Sequence, residues 1–480
     1  MFIPVLVSSL LLTQASSFPV ISARAPTAPE ALTEPNVPVR PVDAQKVVSV
    51  DKSETVAASE ASLRLLSLTE ALRLAERGNP GLEAARARLR QARLLSNKAW
   101  AGYFPSVTAN GTYTRNPVEL VFEVPEAPEP IPLLKRDQFA GQLNAQQAVL
   151  VPRLWPAIEN AYLGEKAAEL TAESTRRETL FAVAQAYLGA ASLREAMAVQ
   201  EQLLDVRRGF ERDAQNRLEV GDVERLALLR ATLDRKEAEQ EVVRSRNAYA
   251  NAKSALAALL ARPVDFDVAL PKESAVAIPV EVRDVSAAET TALERRPDAA
   301  SARLDIDLAR GGRKQILFEY LPDLYATANY TATNVAGLTG QATMWTAGLS
   351  LSWTLLDGGL REANLREANG RIAEARANLR GAEEKIRDEV RRAVTDLGTA
   401  EANLGTAEER VKLSWESARL AKESFEAGAS TYLQVTDVNA TLANAQLSLV
   451  AESLNVQLSR LALARAMGLF DPTGNSLVEP

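Results

Sequence analysis

The sequence is 480 residues long, carries a formal net charge of -7 and contains neither histidine nor cysteine. Disulfides, thiolate and imidazole metal sites, His-based triads and cysteine nucleophiles are thereby excluded, and neither a cofactor site nor an enzymatic activity is expected. Basic and acidic residues are interspersed, which leaves no basic face for nucleic acid, and beyond the N-terminus no run approaches the ~18 to 20 apolar residues of a membrane helix.

Phe2 to Leu12 is apolar and is followed by Thr13-Gln14-Ala15. Residues 1–16 therefore read as a secretory signal segment, although no basic residue precedes Arg24. Residues 17–66, with prolines at 19, 26, 29, 35, 38 and 41, read as a flexible lead. A first repeat is expected over 67–263. It opens with a helix over about 69–101, capped by Ser67 with Glu70 in its first turn and breakable at Gly78-Asn79-Pro80. Strands over about 104–115 and 137–151 follow, with the proline-bearing span from Asn116 to Arg136 between them as a long exposed loop. Helices over about 156–220 and 222–261 come next. At ~1.5 Å per residue the first of these is on the order of 100 Å long, more than a compact domain ordinarily needs.

A proline-bearing connector over 264–285 leads to a second repeat over 286–470, with helices over about 286–318, 359–427 and 430–468 and strands over about 321–333 and 343–355. A tail over 471–480 closes the chain. The strands alternate with a two-residue period. In the first strand of this second repeat, Leu324, Ala326, Ala328, Tyr330 and Ala332 are apolar with Tyr325, Thr327, Asn329, Thr331 and Thr333 between them; in its second strand, Trp345, Ala347, Leu349, Leu351, Trp353 and Leu355 share one face and Thr346, Gly348, Ser350, Ser352 and Thr354 the other. In the first repeat Val107, Ala109, Gly111 and Tyr113 alternate with Ser106, Thr108, Asn110 and Thr112. Phe139, Leu143, Ala145, Val149 and Val151 oppose Gln138, Gln142, Asn144 and Gln146. Hairpins with uncharged centres, one apolar face, one hydroxylic face and aromatic ends are the pattern of strands that cross a bilayer.

The two repeats align without gaps over a span of about 35 residues. At the offset between Pro80 and Pro297, identities fall also at Ala85/Ala302, Arg86/Arg303, Ala92/Ala309, Arg93/Arg310, Tyr103/Tyr320, Pro105/Pro322, Ala109/Ala326, Tyr113/Tyr330 and Thr114/Thr331. That density marks a direct duplication. Gly311-Gly312 faces Leu94-Leu95 of the first copy and is a candidate helix kink. Leu365, Ile372, Leu379 and Ile386 recur every seventh residue, as do Val390, Leu397, Leu404 and Val411, with Ala393, Ala400 and Ala407 between them: a coiled-coil seam. Glu362/Arg366, Glu367/Arg371, Glu383/Arg387 and Asp388/Arg392 are spaced to pair on its solvated face.

Four membrane strands cannot close a barrel alone. An open edge in lipid leaves backbone groups unpaired at several kcal/mol apiece, and bacterial barrels need about eight strands or more. The chain is therefore expected to oligomerise, with two, three or four copies open on strand count.

The duplicated helix-hairpin-helix halves, Phe104-Pro105-Ser106 and Leu321-Pro322-Asp323 entering the hairpins, Leu355-Leu356-Asp357-Gly358-Gly359 leaving the second, and Val220-Gly221 with Ala427-Gly428 at the helix breaks together resemble the TolC family of outer-membrane efflux channels. The resemblance spans about 67–470. It implies a homotrimer with a twelve-stranded barrel in the lipid bilayer and an α-helical barrel through the periplasm, acting as the passive exit duct of a tripartite efflux pump or a type I secretion system. It also implies adaptor-docking tips at Val220, Gly221, Asp222, Ala427, Gly428 and Ala429, which meet a periplasmic adaptor and, through it, an inner-membrane pump or translocase. A pore constriction maps to Gln434 and Asp437, of which Gln434 departs from the family's acidic pattern. On the residues alone the tip glycines read equally well as helix caps. A periplasmic adaptor or a non-conducting coiled-coil stalk is the alternative; the two uncharged hairpins argue against the adaptor, and conductance in planar bilayers separates the duct from the stalk.

Overall fold

The computed structural model describes residues 64–122, 131–221, 223–270, 284–336 and 341–471. The expected signal segment, nearly all of the flexible lead, Asp222, most of the connector and most of the tail lie outside the described residues.

The first expected helix is three. Ser67 caps α1 (Leu68–Gly78) by accepting from the Glu70 amide. The chain breaks at Asn79, whose side chain accepts from the Gly81 and Leu82 amides and starts α2 (Pro80–Ala92), with Pro80 in the first turn where its missing N–H costs nothing. A further break at Arg93 and Leu94 precedes α3 (Leu95–Ala101). In the second repeat the counterpart of α1 is α6 (Val285–Arg295), but α7 (Pro297–Phe318) runs unbroken through Gly311-Gly312. The expected kink is thus absent there and sits instead at the matching place in the first repeat. Gly311 serves close approach: a Cβ on it would lie 1.7 Å from Asn160 Oδ1 on the neighbouring helix, whereas one on Gly312 would meet nothing within 4 Å.

The two long helices are α4 (Leu154–Glu219) and α8 (Leu360–Glu426), each followed by a shorter partner, α5 (Arg225–Leu260) and α9 (Tyr432–Ala466). α4 packs on both α5 and α9, and α8 on α9, so towards the tips the helices lie in the order α5–α4–α9–α8; nearer the sheet α7 stands between α4 and α8. The seam read from the sequence is the buried one: Ile386, Val390, Ala393, Ala400 and Ala407 are all withdrawn from solvent. Of the four expected acid–arginine pairs, Glu367–Arg371 and Asp388–Arg392 form, while Glu362 accepts from the Tyr320 hydroxyl and Arg387 pairs with Glu384 instead. No helix among the described residues is long and apolar enough to cross a membrane.

The membrane sheet is β2 (Ser106–Arg115), β5 (Asp137–Leu150), β7 (Asp323–Thr333) and β8 (Thr343–Ser352), antiparallel throughout and ordered β2-β5-β7-β8. Register pairs Leu324 with Leu351, Ala326 with Leu349, Ala328 with Ala347 and Tyr330 with Trp345, which superposes the two expected apolar faces. One expectation changes. The register shifts between Ala148 and Leu150, so Leu150 pairs with Leu324 on the apolar face, and Val151, expected to share that face, is buried where α4 begins. An extra residue in one strand reverses the alternation beyond it.

Two small sheets fall where none was expected. β1 (Arg64–Leu66) pairs in parallel with β6 (Phe266–Val268), turning the end of the presumed flexible lead and the start of the connector into structure. β3 (Leu120–Phe122) pairs with β4 (Ile131–Leu134) inside the presumed loop. The β1–β6 pair sits on a core made by α1, the middle of α4, the end of α5 and the end of α9, centred on Leu180, Val183, Tyr187 and Leu188. The Tyr187 hydroxyl lies 2.9 Å from Leu66 O and 2.8 Å from Ala269 O. Arg176, fully buried, is held there by Glu76 at 2.7 Å, Glu173 at 3.2 Å and Asp471 at 3.0 Å.

Candidate functional site at the helical tips

Both long helices end on a glycine in the left-handed region, Gly221 at φ 80° and Gly428 at φ 75°, a conformation that costs a residue with a Cβ about 1–2 kcal/mol. At the second tip the Gly428 amide donates to Phe425 O at 3.0 Å and the Ala429 amide to Ser424 O at 2.8 Å, the paired bonds of a Schellman stop that satisfies the last carbonyls. At the first, the Gly221 amide donates to Leu218 O at 3.1 Å. Val220 and Ala427 are the C-caps; Val220 is 80% exposed, and Gly221, Ala427, Gly428 and Ala429 are all exposed. Asp222 is outside the described residues. Local backbone chemistry therefore explains both glycines and leaves an unobstructed apolar knuckle, as nothing lies within 4 Å of a Cβ placed on either.

The structure brings the two tips to one end of the molecule. Arg217 of α4 lies over the Phe425 ring of α8, 4.7 Å from its centroid. One level further from the tips, Phe210 meets Tyr432 edge-on at 5.7 Å. The Tyr432 hydroxyl donates to Asp234 Oδ2 at 3.1 Å, and Arg207 pairs with the same oxygen at 3.3 Å while donating to Thr436 O at 3.4 Å. Burial pushes the Tyr432 hydroxyl up to about 12, and the Asp234 carboxylate adds to the shift. This clasp ties the first helical hairpin to the second. Sequence reading misses it because its members lie roughly two hundred positions apart on helix faces that look solvated.

Of the two expected constriction residues, Gln434 closes a capping box with Thr431: its amide donates to Thr431 Oγ1 at 3.4 Å and its side chain accepts from the Thr431 amide at 2.9 Å. The capping pattern Thr-x-x-Gln was visible in the sequence. Asp437 stands exposed one turn on, beside Arg207, Arg230, Asp234 and Thr436 in a cleft of about 550 Å³ between the starts of α5 and α9.

The sheet is mounted on the helices through the Asp357-Gly358-Gly359 exit, where Gly358 and Gly359 take φ 69° and 87°. Asp357 accepts from the Gly359 amide at 3.2 Å, and from the Arg361 amide at 3.1 Å and its Nε at 2.7 Å. Arg361, almost fully buried, also reaches Glu319 O and Leu355 O and lies over the Tyr320 ring. Burial works against the Asp357 carboxylate, yet its bonds to Arg361 hold it below the usual range. Trp353 donates to Tyr320 O at 3.1 Å, so aromatic side chains collect at this junction.

The molecule has two free flanks. On one, α3 leads into edge strand β2, with α5 below; on the other, edge strand β8 leads into α8. Near the tips each flank shows apolar side chains to solvent: Leu226, Leu229 and Leu233 on α5, and Leu413 and Leu420 on α8.

An antiparallel sheet with an apolar face and two open edges, standing on two helical hairpins on the order of 100 Å long, defines a protomer of an outer-membrane channel. Residues 71–262 and 290–469 match the family model of the outer membrane efflux proteins, and the chain belongs to that family; it is an outer-membrane exit duct. The two matched segments coincide with the two repeats. Its fold is that of the outer membrane protein VceC from Vibrio cholerae, with a TM-score of 0.66 at 23% identity over 84% of this chain and 96% of that one. The CmeC outer membrane channel of Campylobacter jejuni superposes with a TM-score of 0.69 at 17% identity over 85% and 87% of the two chains. The open state of the MtrE outer membrane channel of Neisseria gonorrhoeae does so at 0.66 and 18% identity, over 86% and 94%. No curated protein matches by sequence comparison.

Proposed function

We propose that three copies of the chain close a twelve-stranded barrel in the outer membrane and a continuous helical wall through the periplasm, forming the passive exit duct of a tripartite pump. The observation that carries this is the pair of open edges. β2 and β8 run in opposite senses and bound the same sheet, so β8 of one copy continues into β2 of the next in the antiparallel pattern already present. Left open in lipid, each edge would strand backbone groups at several kcal/mol apiece. The helical flanks support the same joint. Leu413 and Leu420 on α8 stand within about 25 Å of their tip, as do Leu226, Leu229 and Leu233 on α5, so the stripes meet at one height when copies are related by rotation about the duct axis. The number three follows the family resemblance.

In this reading Val220, Gly221, Asp222, Ala427, Gly428 and Ala429 dock a periplasmic adaptor that couples the duct to an inner-membrane pump or translocase. The clasp of Arg207, Asp234 and Tyr432 holds the tips in their narrow state, and three copies of Asp437 form an acidic ring near the aperture. An unheated gel of outer-membrane extract tests the assembly: a band of trimer mass that collapses to monomer on boiling is expected, and a monomer without heating would sink the proposal.

A further inference from the structure

Within one chain the two repeats meet where β5 runs beside β7 and α4 packs on α7. The joint between copies sets β8 and α8 against β2, α2 and α3 of the next copy. These are the same elements taken from the other repeat: β8 and α8 are the second copies of β5 and α4, while β2 with α2 and α3 is the first copy of β7 and α7. Both joints bring together the same two kinds of surface, so the internal one is a template for the other.

Strand register transfers directly. Tyr113 corresponds to Tyr330 in the duplication, and hence Thr112 to Asn329. Thr108 faces Asn144 as its counterpart Tyr325 faces Ser350, which makes Ser350 the counterpart of Asn144. At the internal joint Leu143, Asn144 and Ala145 face Tyr330, Asn329 and Ala328. Their counterparts set Leu349, Ser350 and Leu351 opposite Tyr113, Thr112 and Gly111 of the next copy. Leu349, Leu351 and Tyr113 belong to the apolar face, Ser350 and Thr112 to the hydroxylic one, so both faces continue across the joint. A slip of one residue would mix them.

The helices below are an independent check. α4 and α8 begin on Leu154 and Leu360, which makes Arg366 the counterpart of Asn160, as Leu94 is of Gly311. α7 crosses α4 at Gly311 and Asn160, so Arg366 stands level with Leu94 of the next copy. From that level, at ~1.5 Å per residue, Glu374 lies about 12 Å further from the sheet and Arg88 about 9 Å; Arg380 lies about 21 Å and Glu83 about 17 Å. All four are exposed, and none has an ion pair or side-chain hydrogen bond among the described residues. Each acid thus stands within side-chain reach of an arginine of the other copy. Arg86, which would come level with Arg376, is turned aside and donates to Glu76 O at 2.8 Å.

We infer that the joint between copies repeats the internal joint in register, pairing β8 with β2 of the next copy at Leu349–Tyr113, Ser350–Thr112 and Leu351–Gly111, with Glu374–Arg88 and Arg380–Glu83 bridging the helices beneath. This rests on the ring described above and makes every joint around it one of a kind.

The absence of native cysteine makes the test clean. Ser350→Cys combined with Thr112→Cys puts thiols at directly opposed positions, whose Cα separation of ~4.5–5.5 Å suits a disulfide. Oxidation is expected to link three copies into a ring that survives boiling without reductant. Ser350→Cys combined with Asn110→Cys or Thr114→Cys, on the same face but out of register, is expected to boil down to monomer. On the helices, Glu374→Arg is expected to lower the temperature at which the trimer dissociates by several degrees, and adding Arg88→Glu to the same chain is expected to restore it. Trimers in which position 350 does not cross-link to position 112, or in which the reversed charge pair brings no recovery, would overturn the shared register and leave the ring standing. Failure of the unaltered chain to form trimers would remove the ring itself.

Discussion

The Tyr432 hydroxyl and the Asp234 carboxylate, 3.1 Å apart, join the start of α9 to α5 across the boundary between the two repeats. Asp234 belongs to the first helical hairpin and Tyr432 to the second, so their bond holds one hairpin against the other. Tyr432→Phe removes only the hydroxyl, and a bond of this kind contributes about 1 kcal/mol. Single-channel conductance in planar bilayers is expected to rise in Tyr432→Phe and further in Asp234→Ala, which also deprives Arg207 of its ion pair, with the trimer intact in both. Unchanged conductance in Asp234→Ala would mean the clasp does not narrow the duct.

The tip glycines separate backbone need from docking. Asparagine tolerates the left-handed region, so Gly428→Asn is expected to preserve export, while Gly428→Val, β-branched at φ 75°, loses it by distorting the knuckle. Antibiotic susceptibility of cells expressing each variant reads the outcome, and normal export by Gly428→Val and Gly221→Val together would remove the tips from the docking argument.

Gly311 and Gly312 sit side by side yet call for opposite outcomes. In Gly311→Ala the added Cβ collides with the end of the Asn160 side chain, which must swing aside, and the change is expected to cost about 1 kcal/mol, the low end of the overpacking range. Gly312→Ala faces open space and should be neutral or stabilising by about 0.5–1 kcal/mol, the ordinary helix preference. The temperature at which the trimer dissociates on a gel distinguishes them; equal shifts would contradict the close crossing of α7 on α4.

Removing the buried Arg176 strands the carboxylate of Glu76. Arg176→Ala is expected to cost about 3–5 kcal/mol, the range for breaking a buried pair from one side. The double replacement Arg176→Met with Glu76→Leu should recover much of it, read as a melting temperature by circular dichroism. No recovery would show that the arginine's remaining bonds, to Glu173 and Asp471, carry the stability instead.

Alkaline unfolding has a defined window. Burial raises the Tyr187, Tyr249 and Tyr432 hydroxyls to about 12, with Asp267 reinforcing the shift at Tyr249 and Asp234 at Tyr432. A folded value above the unfolded 10.0 means the stabilisation is fully present below pH 10 and is lost as pH climbs towards 12. Melting temperature should fall steeply across that interval, and Tyr187→Phe should shallow the fall; a flat profile from pH 10 to 12 would refute the assignment.

The faces of β7 and β8 were legible because a period of two is written into each strand, and register then paired Leu324 with Leu351 as the pattern required. Gly221 and Gly428 were legible because a helix stop is a local event. The bulge beside Ala148 was not, since one extra residue changes neither composition nor apolar content. Nor were β1 and β6, three residues each, too short to carry a period. Gly311-Gly312 misled for a related reason: two glycines mark either a bend or a close neighbour, and only the position of Asn160 decides between them.

By itself the sequence determined the duplication, the lengths of α4, α5, α8 and α9 and the strands that suit a bilayer, because spacing along one segment dictates what that segment can bury. The tertiary structure alone decided that β5 lies beside β7, that Arg207, Asp234 and Tyr432 meet, and that Arg361 locks the sheet to α8. Those contacts join elements whose surfaces are each compatible with several neighbours, so the choice among them is made by the packing of the whole chain.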